Sequence, residues 1–319
     1  MMTSHKLLLS FFLFVLFIGC SSEETTPEPE PEQEVNEAMG EFIDDWTYRV
    51  FPKSPYNNID VGEFRLWVPE NHTDLKAILV LLTNFNGNSL GLANSAEWQA
   101  YADEERLAIC GVNLKSFAGT YFYDDATAGS GQALEDAIKE IATKNGIDEV
   151  ASLPFLMRGY SGGGVFSYYF SIHNPERSVG FINIRGGSIY HNPANNNDIP
   201  GLMLVGQMEG DERIEILQEL VLDKRNQGGP WSFAIEPNAD HFYSLEASDN
   251  LAKIFFTALL KKRISDGSNE LISIPEDSGW LGNLTRTNIY PYADYPGNKN
   301  SAFWLVDEDF ANAWLQFQQ

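Results

Sequence analysis

The sequence has little cysteine and little positive charge. Its 319 residues include only two cysteines, so it can form at most one disulfide and is not a small protein held together by disulfides. Lysine and arginine number 21 against 45 aspartate and glutamate residues, which gives a net charge of −24. Because nucleic-acid binding requires basic residues that displace counterions from phosphates, this composition argues against a nucleic-acid partner.

The apolar run near the N-terminus is too short to cross a bilayer. It covers residues 7–19 and follows Lys6, whereas a spanning helix needs about 20 apolar residues. This pattern predicts a cleaved signal peptide over residues 1–19. The ending Phe17-Ile18-Gly19-Cys20 resembles a bacterial lipobox, which implies cleavage before Cys20 and acylation of its thiol by a fatty acid such as palmitate. Ordinary secretion, with cleavage at a nearby small residue, is the alternative.

The segment after the cysteine carries much of the negative charge. Residues 21–45 contain ten acidic side chains and no lysine or arginine, and proline alternates with glutamate over residues 27–32. Such a composition cannot bury a core, so residues 20–45 are predicted to be an acidic tether. Acidic residues directly after an acylated cysteine resemble lipoprotein sorting signals. That resemblance implies a cell-envelope protein, lipid-anchored to the outer membrane and facing either the cell surface or the periplasm.

From about residue 60 onward, short β-rich runs alternate with helical patterns. Several of the runs, such as Ala77–Leu82, are continuously apolar, as expected for strands covered on both faces. Residues 46–263 are therefore predicted to form an α/β domain with a mostly parallel central sheet. Residues 264–319 lack the alternation and are rich in glycine, proline and aromatics, which predicts an extension packed on the same domain. The predicted strands are Glu63–Val68, Ala77–Leu82, Ala108–Leu114, Phe155–Tyr160, Gly180–Ile184, Leu202–Gly206 and Ser232–Glu236.

A glycine-rich turn contains the strongest chemical signal. Gly159-Tyr160-Ser161-Gly162-Gly163 joins a predicted strand to a predicted helix, as at a nucleophile elbow. There the turn is so tight that flanking positions must lack bulky side chains, and the serine is presented at the helix N-terminus. The run lacks both the Lys-Ser/Thr ending of a P-loop and the glycine spacing of dinucleotide sites. Ser161 is therefore the candidate nucleophile.

A serine hydroxyl needs a base to remove its proton, so a histidine is expected later in the chain. Of the five histidines, only His241 directly follows the last predicted strand, where this kind of fold presents its base. Of the other four, His5 lies in the leader and His72 lies before the first central strand. His173 lies at the end of the helix after the elbow, and His191 lies one loop too early in the chain.

The third member is an acid that orients the imidazole, and two candidates follow the preceding strand. Glu209 lies three residues after Gly206, the last residue of that strand, where such folds commonly place the acid. Asp211 is the more usual residue type and has a glycine before it, so we slightly favour Asp211 and leave Glu209 open. Asp240 is too close to His241 in sequence to fold back onto its ring.

An acyl-transfer site also needs donors for the developing oxyanion. The amide of Gly162, directly after the serine, is one candidate. The second donor is expected from the loop that follows Ala77–Leu82, where the amides of Asn84, Phe85 and Asn86 are alternatives.

Over roughly residues 60–263, the elbow and the order Ser161, acid, His241 resemble the α/β-hydrolase superfamily, in particular exported bacterial esterases of the polymer-depolymerase and feruloyl-esterase type. The resemblance implies an α/β-hydrolase fold and cleavage of carboxylic esters through an acyl-enzyme, without a metal or cofactor. Acyl groups on polysaccharides or oligosaccharides are one substrate class that would fit. The alternatives are a serine peptidase with the same triad and a non-catalytic, glycan-binding surface lipoprotein.

Overall fold

A computed structural model of the chain describes residues 38–70, 74–117, 122–187, 189, 198–265, 268 and 270–319. The predicted signal peptide, the predicted lipidation site Cys20 and most of the predicted tether lie outside the described residues, as do His72 and His191. None of the helices in the described ranges is long and apolar enough to span a bilayer.

A nine-stranded sheet runs through the centre of residues 38–319. Across the sheet the order is β1-β2-β3-β5-β4-β6-β7-β8-β9, and the six strands from β5 to β9 are parallel to one another. The carboxyl ends of these six strands therefore share one edge of the sheet. The strands are β1 (Gly40–Asp44), β2 (Thr47–Val50), β3 (Val61–Trp67), β4 (Ala77–Leu82), β5 (Leu107–Lys115), β6 (Phe155–Tyr160), β7 (Ser178–Ile184), β8 (Gly201–Gly206) and β9 (Trp231–Glu236).

Within the described ranges, six helices complete the α/β architecture. Every residue of β4, β6, β7 and β8 is buried, so both faces of the central sheet are covered. All seven predicted strands are present with ends within two residues of the prediction, and the predicted α/β class with a mostly parallel sheet is confirmed. The helices are α1 (Ala96–Glu105), α2 (Ser130–Asn145), α3 (Gly162–His173), α4 (Asp211–Asn226), α5 (Glu246–Arg263) and α6 (Glu308–Phe317).

The first strand begins inside the segment predicted to be a tether. Gly40–Asp44 forms β1 and pairs antiparallel with β2, so the end of the tether at residue 45 was placed too late. The Phe42 ring packs edge-on against Tyr48 at 4.9 Å, and the Lys144 ammonium lies 4.1 Å from the centre of the Phe42 ring. A strand at the edge of a sheet buries few side chains. The polar sequence of β1 therefore lacks the apolar pattern by which a strand is predicted.

The C-terminal extension packs against the last strand of the sheet. It contains a three-stranded sheet of β10 (Trp280–Gly282), β11 (Ile289–Pro291) and β12 (Phe303–Leu305), followed by α6. The Ser232 hydroxyl on β9 donates to the Trp304 carbonyl, and the Trp314 indole donates to the Phe233 carbonyl over 2.8 Å. Both tryptophans are fully buried, so the extension shares the core of the domain.

We expect Trp314→Ala to lower the free energy of unfolding by about 3–5 kcal/mol, because it opens a cavity and leaves the Phe233 carbonyl without its donor. Urea denaturation of the full chain measures this change. The matched control is Gln316→Ala, an exposed position on the same helix, which should change stability by no more than about 0.5 kcal/mol. Equal effects of the two substitutions would show that α6 is not part of the core.

Candidate active site

Ser161 lies in the turn between β6 and α3 with a backbone conformation that few side chains adopt. Its φ is +54°, in the left-handed region. The turn around it is so tight that the neighbouring glycines have no room for a Cβ. A Cβ on Gly159 would lie 1.9 Å from the Gly163 carbonyl oxygen, and one on Gly163 would lie 2.4 Å from that of Thr83. The predicted elbow therefore has the tight geometry that presents the serine at the start of the helix.

The turn brings Ser161 to the predicted base. Its Oγ lies 3.0 Å from Nε2 of His241, and Nδ1 of the same ring lies 2.7 Å from Oε1 of Glu209. Because a carboxylate only accepts hydrogen bonds, Nδ1 carries the ring proton, and Nε2 of the neutral ring can accept the serine proton. The three side chains form one continuous chain of hydrogen bonds.

Glu209 is held in place by one backbone donor and by an ion pair. Its side chain is only 3% exposed, and Oε2 accepts the Gly206 amide over 2.9 Å. The Arg213 guanidinium, one helical turn further along the chain, lies 3.1 Å from Oε1. These two contacts fix the position of the carboxylate that meets Nδ1 of His241.

The other predicted acid, Asp211, does not approach His241. It is the first residue of α4 and is exposed, where its charge stabilises the helix N-terminus. Glu209 reaches the imidazole because the short 3₁₀ turn Gln207–Glu209 follows β8 directly and turns its side chain back over the end of the strand. The geometry thus reverses the slight preference for Asp211.

Two residues that the sequence patterns did not single out fix the loop that carries His241. The Tyr160 hydroxyl donates to the His241 carbonyl over 2.6 Å, and burial raises the pKa of this phenol, which keeps it protonated as a donor. The fully buried Arg185 donates to the Tyr243 carbonyl over 2.7 Å and forms an ion pair with Glu236. Their contacts are 51 to 81 residues away in sequence, so local patterns contain no sign of them.

The backbones of Gly162 and Phe85 meet directly beside the serine. A Cβ on Gly162 would lie 3.1 Å from the Phe85 amide nitrogen and 2.9 Å from its Cα, so the two residues are in close contact. Neither amide has a hydrogen-bond acceptor among the described residues. Of the three loop candidates Asn84, Phe85 and Asn86, only Phe85 has backbone atoms among the nearest neighbours of Gly162. The Asn86 side-chain oxygen accepts the Ser116 amide, which holds the loop beside Phe85.

Exposed apolar side chains flank these groups. Phe242, directly after His241, is 84% exposed and packs edge-on against the imidazole at 5.1 Å. Met208, directly before Glu209, is exposed as well, and Phe85 packs against the exposed Phe122. A ligand that reaches Ser161 would therefore lie beside apolar surface.

Two further features are the distribution of metal-binding side chains and the state of Cys110. The described part of the chain contains no cluster of three or more histidine, cysteine or acidic side chains suited to hold a metal ion. Cys110 is a free thiol buried in β5, and burial raises its pKa.

We expect Glu209→Gln to slow the reaction of Ser161 with a fluorophosphonate reagent by roughly 10²–10⁴-fold, because the amide no longer stabilises the imidazolium that forms when the serine gives up its proton. The rate of covalent labelling of the full chain measures this effect. Asp211→Asn is the matched control, since it removes a charge two residues away without touching the ring, and it should label at the parent rate. The reverse order of the two rates would restore Asp211 as the acid.

A serine on a strand–turn–helix elbow, with the acid and the histidine after later parallel strands, is the arrangement predicted for an α/β-hydrolase fold. No protein-family model and no curated protein matches the sequence. Among solved structures, the chain is similar to a thermostable esterase at 17% identity, with TM-score 0.43, over 56% of this chain and 51% of that one. It therefore spans about half the length of that esterase.

Two further solved structures are matched over most of their length. A ferulic acid esterase has 13% identity and TM-score 0.49, over 67% of this chain and 97% of that one. A carboxylesterase from Bacillus cereus has 16% identity and TM-score 0.45, over 60% of this chain and 91% of that one. At these identities the similarity concerns the fold alone.

Proposed function

We propose that the protein is a serine hydrolase that cleaves carboxylic esters through a covalent acyl-enzyme. The observation that carries the proposal is the continuous chain of hydrogen bonds from Ser161 Oγ through both ring nitrogens of His241 to Glu209. A serine that merely caps a helix needs neither an imidazole partner nor a buried acid behind it. All the groups that acyl transfer requires are supplied by protein side chains and amides.

In the first half of the reaction, Ser161 Oγ attacks the ester carbonyl and its proton passes to His241 Nε2. The negative charge on the former carbonyl oxygen is stabilised by the amides of Gly162 and Phe85. Glu209 stabilises the imidazolium through Nδ1. As the tetrahedral intermediate collapses, the imidazolium gives its proton to the departing alcohol, and the acyl group stays on the serine.

In the second half, a water molecule replaces the alcohol. His241 takes a proton from the water as it attacks the acyl-enzyme, and the second tetrahedral intermediate uses the same two amides. The imidazolium then returns the proton to Ser161, which leaves as the free serine together with the carboxylic acid.

For the substrate we propose acyl groups carried on polysaccharides or oligosaccharides. The exposed side chains Phe242 and Met208 support this choice, because they give an acyl group apolar surface next to His241 and Glu209. A peptide bond could be cleaved by the same three side chains, so the assay compares both classes.

We expect the full chain to hydrolyse at least one of acetyl, feruloyl and methyl-uronate esters of saccharides faster than aminoacyl or peptide substrates. Ser161→Ala should lower kcat by at least about 10³-fold, because the nucleophile is lost. Release of the acid or alcohol, followed by chromatography, measures the rates. Faster cleavage of peptides would favour a serine peptidase, and neither turnover nor fluorophosphonate labelling of the parent protein would favour a non-catalytic glycan-binding protein.

We further propose that the protein is anchored to the outer membrane of the cell envelope through an acylated Cys20. The lipobox-like ending Phe17–Cys20 and the acidic segment after it support this location. Cys20→Ala should move the protein from the membrane fraction to the soluble fraction, whereas Cys110→Ala, the only other cysteine position, should leave it with the membranes. Fractionation of the producing cells followed by immunoblotting measures both. A parent protein that is already soluble would overturn the proposal.

A further inference from the structure

A groove with a cavity volume of about 460 Å³ lies well away from Ser161. It is bounded by the turn between β1 and β2, by the end of β3 and by Asn94, which lies two residues before α1. Its volume falls in the range of small-molecule sites. The side chains that line it and carry the argument are Asp44, Asp45, Trp46, Arg65, Trp67 and Asn94.

The strand register separates this groove from the candidate active site. Trp67 lies opposite Ile109 on β5, which lies opposite Leu79 on β4, and Leu79 in turn lies opposite Leu156 on β6. That position is five residues before Ser161 and three strands away across the sheet. With about 3.3 Å per residue and about 4.8 Å per strand, the separation is about 20 Å. The groove therefore belongs to a different surface.

Two tryptophans supply the apolar part of the groove. Trp46 is 38% exposed at the tip of the β1–β2 turn, and Trp67 is half-buried with its ring packed against the core. Neither indole N–H has a hydrogen-bond acceptor within the described ranges, and the exposed side-chain amide of Asn94 has no partner there either. The groove thus combines flat apolar faces with hydrogen-bonding groups that are free to meet a ligand.

The charged groups of the groove are already paired. Arg65 lies 2.6 Å from the Asp44 carboxylate and also donates to the Thr47 hydroxyl. Asp45 lies 3.1 Å from the ammonium of Lys144. No charge is left over to attract an ionic ligand. The fixed carboxylates and the guanidinium instead offer oriented acceptors and donors, which suit the adjacent hydroxyl groups of a sugar ring, while its C–H faces suit the indole rings.

We propose that this groove is a binding site for a neutral oligosaccharide, separate from the site at Ser161. Sugar binding here would hold a saccharide on the protein surface without exposing it to the catalytic groups. This proposal does not depend on the proposed hydrolysis, because the groove contains none of its residues.

The test is a titration of the full chain with unesterified hexasaccharides of β-linked xylose, glucose and mannose, followed by intrinsic tryptophan fluorescence and by calorimetry. We expect saturable binding of at least one of these neutral sugars, and about tenfold or greater weakening in Trp46→Ala, which removes an exposed stacking face without opening the core. Asn94→Ala should weaken binding by a smaller factor, and Trp46→Phe should retain part of the affinity.

The matched control is Phe242→Ala, which removes an exposed aromatic ring beside the candidate active site and should leave hexasaccharide binding unchanged. A hexasaccharide of galacturonic acid, which is anionic, should bind more weakly than the neutral sugars. The proposal is overturned if no neutral hexasaccharide binds, if Phe242→Ala weakens binding while Trp46→Ala does not, or if the acidic sugar binds best. Each variant should have the same midpoint temperature of thermal unfolding as the parent protein, which shows that it is folded.

Discussion

The close approach of the turn around Ser161 to the loop after β4 is the constraint on which the candidate active site depends. The Gly163 amide donates to the Thr83 carbonyl over 3.0 Å, and Gly162 lies against the backbone of Phe85. Both contacts join the segments that follow the neighbouring parallel strands β4 and β6. The nucleophile and the two candidate oxyanion donors are therefore positioned by the same pair of strands. Positioning of this kind lets dipoles act on developing charge without first reorganising.

The opposite side of the site depends on one buried cation. Arg185 extends from the end of β7 to the loop that follows β9, where it binds backbone carbonyls on the C-terminal side of His241 and the carboxylate of Glu236. Removing one partner of a buried ion pair typically costs about 3–5 kcal/mol, because the remaining charge loses its compensation. The histidine loop is therefore held from the interior of the protein, in addition to the local bond from the Phe242 amide to the exposed Asp240 side chain.

Sequence patterns revealed the parts of this structure that depend on burial or on chain order. Apolar runs such as Ala77–Leu82 predicted the central strands because helices cover both of their faces, and the order of elements was enough to select His241. The choice between Glu209 and Asp211 depended on the direction of the three-residue turn Gln207–Glu209. The types of its residues do not predict that direction. Strand β1 was missed for a related reason, since its side chains are mostly exposed and carry no burial signal. Long-range contacts such as those of Arg185 leave no local pattern at all.

The C-terminal extension also determines how the sheet ends. A sheet edge with free backbone groups is a template for pairing with other chains. Here β9 is the last strand, and the extension lies along it, with the Gln318 side-chain oxygen accepting the Ile235 amide over 3.1 Å. The opposite edge is the five-residue β1, which carries Glu41 and Asp44 and is too short and too charged to recruit a partner strand easily. At both ends the sheet is protected against strand-to-strand aggregation.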